Sequence, residues 1–163
     1  VISDPSVLSC LGAVGHLDLL REFYSEILVP PAFWSEVTSA GTRPGAAEAQ
    51  AARTSGWLRF RSPTNSSLLA SLTLSLDAGE AEAIALATEL PGSLLLLDDG
   101  DARETALQMK LDFTGTLGVL LRAKHAGKLL ALKPALDRLV RQHSFRVSQR
   151  LYEQALREAG EPS

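Results

Sequence analysis

The apolar residues of this chain fall into short runs at the strand period, separated by longer stretches at the helical period. Val1 to Ser3 reads as a short strand, and Asp4-Pro5 as an N-cap followed by a favoured first helical residue. Val7, Leu8 and Leu11 give the following helix an apolar side, and Gly12 and Gly15 break it. A second helix runs from His16 to Phe23 over Leu17, Leu19 and Leu20. Glu26 to Val29 is a strand stopped by Pro30-Pro31; proline suits a first helical turn, so PAFWSEV reads as a helix carrying Phe33, Trp34 and Val37. TSAGTRPG is a loop that leads into an exposed alanine-rich helix. Gly56 to Arg61 alternates apolar and basic residues, the pattern of an edge strand.

Ser62 to Ser71 is rich in Ser, Pro and Asn and reads as a loop. Asp77-Ala78-Gly79-Glu80 opens a long helix to Glu89, which Pro91-Gly92 stops. Leu94 to Leu97 is too short for a helix between that breaker and the acids behind it, so it predicts a strand buried on both faces. Then come a helix from Ala102 to Met109, a strand from Leu111 to Phe113 and a helix from Thr116 to His125. Amphipathic helices near Pro134 to Gln142 and Ser148 to Glu158 complete the chain. Strands separated by helices need crossover connections, which predicts a parallel sheet covered on both sides. The length of 163 residues suits a single domain spanning 1–163, with C-terminal helices at about 134–160.

The stretch LLLLDDGDAR carries the chemistry into view, because four leucines meet Asp98, Asp99 and Asp101 at once. In parallel α/β sheets, sites gather beyond the carboxyl ends of the strands. Asp4 follows the first strand, and Asp98 and Asp99 follow the leucine strand. Glu80 lies in line with Ile84 and Ala87 near a helix start, and Glu36 neighbours Ala32, Phe33 and Val37. Carboxylates turned inward at one edge resist joint ionisation unless a divalent cation lies between them. Each acid also has a plainer role open to it. Asp4 suits a simple N-cap, Glu80 a first-turn charge favoured by the helix dipole, and Asp101 the N-cap of the helix from Ala102. Glu82 points away from Glu80 and reads as a solvated charge.

Composition narrows the chemistry. A single cysteine, Cys10, excludes an intrachain disulfide and a zinc site built on several thiolates. His16, His125 and His143 show no ligand spacing. Oxygen donors without His or Cys partners suit Mg²⁺ or Mn²⁺, which activate water and neutralise phosphate charge. The net charge of −3 hides an asymmetry: residues 1–100 hold 5 Lys/Arg against 12 Asp/Glu, the remainder 11 against 7. An acidic centre beside a basic region suits a polyanionic partner, with Arg122, Lys124 and Lys128 as the candidate phosphate contacts, although ordinary solvated charge explains them equally. Thr114 and Thr116 either line the site or cap the next helix. No apolar segment is long enough to span a bilayer and no basic region precedes an apolar stretch, so the expected location is cytoplasmic. A receiver domain would need its acid pair after the first strand, and neither TGTLGVL nor GAVGHL completes a phosphate-binding glycine motif.

The order and spacing of six blocks, SDPSVLSCLGAVGHLDLL, ILVPPAFWSEV, LDAGEAEAIALA, LLLLDDGDAR, DFTGTLGVLLRAKHAGKL and FRVSQRLYEQALREAGE, resemble the PIN-domain nucleases. Within them the likeness is to a bacterial and archaeal branch of PIN-like proteins. The resemblance implies a three-layer α/β/α sandwich with a central parallel sheet and a Mg²⁺- or Mn²⁺-dependent endoribonuclease. By position, it implies that Asp4, Glu36, Glu80 and Asp98 are the catalytic acids. It places the metal on Asp4, Glu80 and Asp98 with Asp99 nearby, and gives Ser6, Asp101 and Thr116 supporting roles. The better-known PIN toxins carry Asp where Glu80 stands. A homodimer, a small antitoxin partner and an RNA substrate are implied in the same way; a PIN fold that has lost catalysis and serves as a binding module is the alternative.

Overall fold

A computed structural model describes residues 1–32, 46–142 and 145–162. Five strands form one all-parallel sheet: β1 (Ile2–Ser3), β2 (Ile27–Val29), β3 (Leu58–Phe60), β4 (Leu94–Leu96) and β5 (Asp112–Thr114), in the order β3-β2-β1-β4-β5. The helices are α1 (Pro5–Ala13), α2 (Asp18–Phe23), α3 (Ala46–Thr54), α4 (Ser66–Leu72), α5 (Ala78–Glu89), α6 (Gly100–Gln108), α7 (Thr116–His125), α8 (Leu132–Gln142) and α9 (Gln149–Glu158). None of the described helices is long and apolar enough to cross a membrane.

The strands sort the core into two layers, because successive side chains point to opposite faces. Ile27, Val29, Leu58 and Leu96 face a cluster filled by Val7 and Leu11 of α1, Leu20 of α2, Val119 and Leu120 of α7, Leu136 of α8 and Leu156 of α9. Ile2, Leu95 and Leu97 face the other way, onto Ile84 and Leu86 of α5, Ala102 and Ala106 of α6 and Leu72 of α4. The result is the three-layer α/β/α sandwich that the alternation of elements predicts. The leucine strand lies in the sheet interior between β1 and β5, and Leu95, Leu96 and Leu97 are each 0% exposed. Four apolar residues in a row are thus consumed by two opposed helix layers.

Most local expectations hold, and the departures have local causes. The supposed loop Ser62–Ser71 contains α4: the Asn65 side chain accepts the Leu68 N–H at 3.0 Å, and Leu68, Leu69 and Leu72 pack beneath α5. Its polar residues sit at the helix entrance, where they cap the helix instead of breaking it. Gly12 stays inside α1, buried, and Gly15 at φ 76° makes the turn behind it. Glu82 is half-buried rather than solvated, and its Oε2 accepts the Ala32 N–H at 2.9 Å. Glu89 and Glu161 act likewise on the N–H groups of Thr64 and Asn65 and of Leu132 and Lys133. Most of the PAFWSEV helix, with Phe33, Trp34, Glu36 and Val37, and the start of the glycine-proline loop lie outside the described residues.

Candidate active site

The strand order reverses between β1 and β4, so the crevice beyond their carboxyl ends is the topological switch point where parallel sheets bind ligands. Register places Ile2 beside Leu95 and Ser3 beside Leu96, and the Asp4 N–H donates to the Leu96 carbonyl at 3.1 Å. Asp4 and Asp98 therefore leave adjacent strands at one edge.

Asp4 is both the N-cap of α1 and a site residue. Its Oδ1 accepts the Val7 N–H at 3.0 Å and its Oδ2 the Ser6 hydroxyl at 2.6 Å. The side chain is 0% exposed. Burial pushes its pKa up to about 8; the two hydrogen bonds oppose that rise, and the charges of Asp98 and Glu80 add to it.

Asp98 is gripped from the neighbouring strand's loop. The N–H of Thr116, first residue of α7, donates to Oδ1 at 2.9 Å and the Thr116 hydroxyl to Oδ2 at 2.5 Å. The carboxylate thus sits on a helix N-terminus, which favours an anion. Arg103 donates its Nε to the Leu97 carbonyl at 2.8 Å and holds Nη2 3.6 Å from Asp98 Oδ1. Burial raises the Asp98 pKa, against the pull of Thr116 and Arg103. Gly115 makes this approach sterically feasible: a Cβ there would lie 2.5 Å from Asp98 Oδ1 and 2.6 Å from the Leu97 carbonyl oxygen, and would also strike the Arg103 guanidinium.

Glu80 enters from α5 as the third residue of a capping box: the Asp77 carboxylate accepts the Glu80 N–H at 2.8 Å, and the Asp77 N–H donates to Glu80 Oε2 at 3.2 Å. Burial and the charge of Asp77 push its pKa up to about 7, with further repulsion from Asp99 and Asp101. The first-turn role and the inward position are both realised in one residue.

Asp99, not Asp101, caps α6, with Oδ1 accepting the N–H groups of Asp101 at 2.8 Å and Ala102 at 3.1 Å. The helix begins two residues earlier than expected because Gly100 enters it. Asp101 is exposed in the first turn and lines the same cavity as Glu80, Asp98 and Asp99. That cavity measures about 710 Å³. Ser6, whose hydroxyl is bonded to Asp4, and Cys10 also line it, as do Arg103, Phe145 and Arg146. Burial and the nearby Asp98 and Asp4 push the Cys10 thiol up to about 12, so it stays protonated.

The three expected phosphate contacts go elsewhere. Arg122 stacks on Phe23 and Tyr24 at 4.4 and 5.2 Å, Lys124 pairs with Glu161 at 3.1 Å, and Lys128 pairs with Glu22 at 2.8 Å. Arg122 and Lys124 sit in the last turn of α7, roughly 9 and 12 Å along the axis from Thr116 at 1.5 Å per residue, and Lys128 follows the helix. Arg103, Cys10, Gly115, Phe145 and Arg146 were not among the sequence candidates. Arg103 alone had a usable signal, its place one helical turn behind the acids of LLLLDDGDAR.

The gathered donors are oxygen, the type that a hard divalent cation prefers. Carboxylates whose pKa is raised by burial and by neighbouring acids, as at Asp4 and Glu80, have an electrostatic demand that such an ion offsets. The residues therefore fit Mg²⁺ or Mn²⁺ in chemistry. Among the described residues no three His, Cys, Asp or Glu are already arranged to hold an ion. The Ser6 hydroxyl already occupies Asp4 Oδ2, and Ser6 lines the cavity while Asp4 does not appear in its lining.

Fold and site together define a three-layer α/β/α protein with an acidic centre at its switch point. The chain belongs to the PIN-domain family, whose model matches residues 1–161. That family is one of nuclease folds. No curated protein and no solved structure matches the chain.

Proposed function

We propose that this protein is a Mg²⁺- or Mn²⁺-dependent endoribonuclease. The observation that carries the reading is the gathering of Asp4, Asp98 and Glu80 at the switch point beside an open cavity, each made costly to ionise by burial, with Asp4 also repelled by Asp98 and Glu80, and Glu80 by Asp77, Asp99 and Asp101. Asp4, Glu80 and Asp98 would hold the ion, with Asp99 nearby and Glu36 as a further acid implied by the resemblance. Bound there, a divalent cation lowers the pKa of a water and neutralises charge on the phosphate under attack.

The chain's own residues supply orientation. Thr116 fixes both Asp98 oxygens, Ser6 and the Val7 N–H fix Asp4, and the Asp77 N–H fixes one oxygen of Glu80. Arg103, anchored on the Leu97 carbonyl, presents a guanidinium to the cavity next to Asp98. Water then forms the new bond to phosphorus while a ribose oxygen leaves, with no covalent enzyme intermediate. The protonated Cys10 thiol is no nucleophile. The resemblance extends the reading to the toxin of a toxin–antitoxin pair, a homodimer held in check by a small antitoxin protein.

The test is RNA cleavage with Mg²⁺ or Mn²⁺ by the protein and by its Asp4→Asn and Asp98→Asn variants. The expected result is cleavage by the parent and a loss in each variant beyond the roughly 10- to 100-fold that removal of an outer-shell partner costs. Equal cleavage by all three, or cleavage by none, overturns the assignment.

A further inference from the structure

We propose that Phe145 and Arg146, in the connector between α8 and α9, form a clamp for unpaired RNA at the mouth of the acidic cavity, the ring stacking on a base and the guanidinium meeting a backbone phosphate. The inference rests on the ribonuclease reading and names the form of its substrate.

Both residues line the same cavity as Glu80, Asp98 and Asp101. Phe145 is half-buried, held from below by the larger core cluster and by its N–H, which donates to the Leu139 carbonyl at 3.3 Å. An aromatic ring fixed on its inner side and open to a polar cavity is a stacking platform, since every unpaired base has a π-face. Arg146 is exposed, and Arg141 and Arg150, also exposed, flank the same connector. Among the described residues none of these three arginines has an acidic partner. The cations in and just after α7, by contrast, are committed: Lys124 to Glu161, Lys128 to Glu22, and Arg122 to the rings of Phe23 and Tyr24. Apart from Arg103, which is held against Asp98, the cavity-lining positive charge therefore comes from the α8–α9 edge. A base can reach the ring only when splayed from a single strand, which excludes the interior of a duplex.

The experiment compares the parent with Arg146→Ala, Arg146→Lys and Phe145→Leu in two readouts. One is kcat and KM for cleavage of a single-stranded oligoribonucleotide with Mn²⁺, and the other is metal-free binding of that strand and of a duplex of equal length, by fluorescence anisotropy across a salt series. Melting curves check that each variant folds. Expected are preference for the single strand and a KM or Kd raised about 5- to 100-fold by Phe145→Leu with little change in salt dependence. Arg146→Ala should weaken binding and lower the salt slope by about 1, and Arg146→Lys should recover part of the loss. Cleavage by the parent with KM unchanged in the variants overturns the clamp and leaves the nuclease intact. Single-strand binding that the variants lose, without cleavage by any protein, upholds the clamp and sinks the nuclease reading. A parent that neither binds nor cleaves RNA sinks both.

Discussion

Thr116 holds both oxygens of Asp98, its N–H donating to Oδ1 at 2.9 Å and its hydroxyl to Oδ2 at 2.5 Å. One residue at the start of α7 thereby orients the carboxylate that the leucine strand delivers, and Asp98 in return caps the helix. Thr116→Val keeps the shape and removes the hydroxyl, leaving a buried acceptor short of one donor. It should cost about 1–3 kcal/mol in a urea melt, and cleavage should fall about 10- to 100-fold. Thr116→Ser, which keeps the donor, should stay close to the parent. A valine variant equal to the parent in both measurements would show that the hydroxyl does nothing for Asp98.

Gly115 and Gly100 make a paired test of close approach. A methyl at Gly115 meets Asp98 Oδ1, the Leu97 carbonyl and Arg103, whereas one at Gly100 meets nothing within 4 Å. Gly115→Ala should destabilise by about 1–3 kcal/mol and depress cleavage by displacing Asp98. Gly100→Ala, at the first residue of α6, should be neutral or stabilise by up to about 1 kcal/mol. Thermal melts of the two variants decide the matter, and similar effects would remove Gly115 from the site's support.

The buried acids predict an unusual pH profile for the metal-free protein. The pKa of Asp4 rises on folding from 3.8 to about 8, and that of Glu80 from 4.5 to about 7. The folded chain thus keeps protons that the unfolded chain has released, and stability falls as pH rises through this interval. The contribution is fully present below about pH 4 and gone above about pH 8. Asp4→Asn retains an acceptor for the Val7 N–H but has no charge to bury, so its melting temperature should fall less between pH 5 and 8 and exceed the parent's at pH 8. Parallel profiles for the two proteins would contradict the burial argument.

Added cation should reverse that loss. At pH 8, Mn²⁺ at about 100 times its dissociation constant stabilises a folded-state site by about 2.7 kcal/mol, which is roughly 5–10 °C for a chain of this size. The shift should shrink in Asp98→Asn and in Glu80→Gln. An unmoved melting temperature in the parent would leave the acids without an ion to hold.

Much of this was open to reading along the chain. The leucine run could only be a strand covered on both faces, and Asp4 and Asp98 stood where strand ends place ligands. The Asp77 and Glu80 spacing also spells a capping box, so that the helix-start role and the inward role of Glu80 were compatible from the outset. Errors arose where composition stood in for geometry. Ser and Asn made residues 62–71 look like loop, although Asn65 was starting a helix. Asp101 looked like a cap because it directly precedes Ala102, the expected start of the helix, yet the carboxylate that reaches two free N–H groups is that of Asp99.

The sequence by itself determined most of the element types, the acids at the strand ends and the family likeness, because these depend on periodicity and local spacing. Only the tertiary structure decided which groups meet. Strand order sets Ile2 beside Leu95, and with them Asp4 near Asp98, across a separation that no local pattern encodes. It also decided which cations are spent: Arg122, Lys124 and Lys128 find rings and carboxylates of their own, while Arg146 faces the acidic cavity. Charge is written in the chain, but whether a charge is free depends on what folding brings within a few ångströms of it.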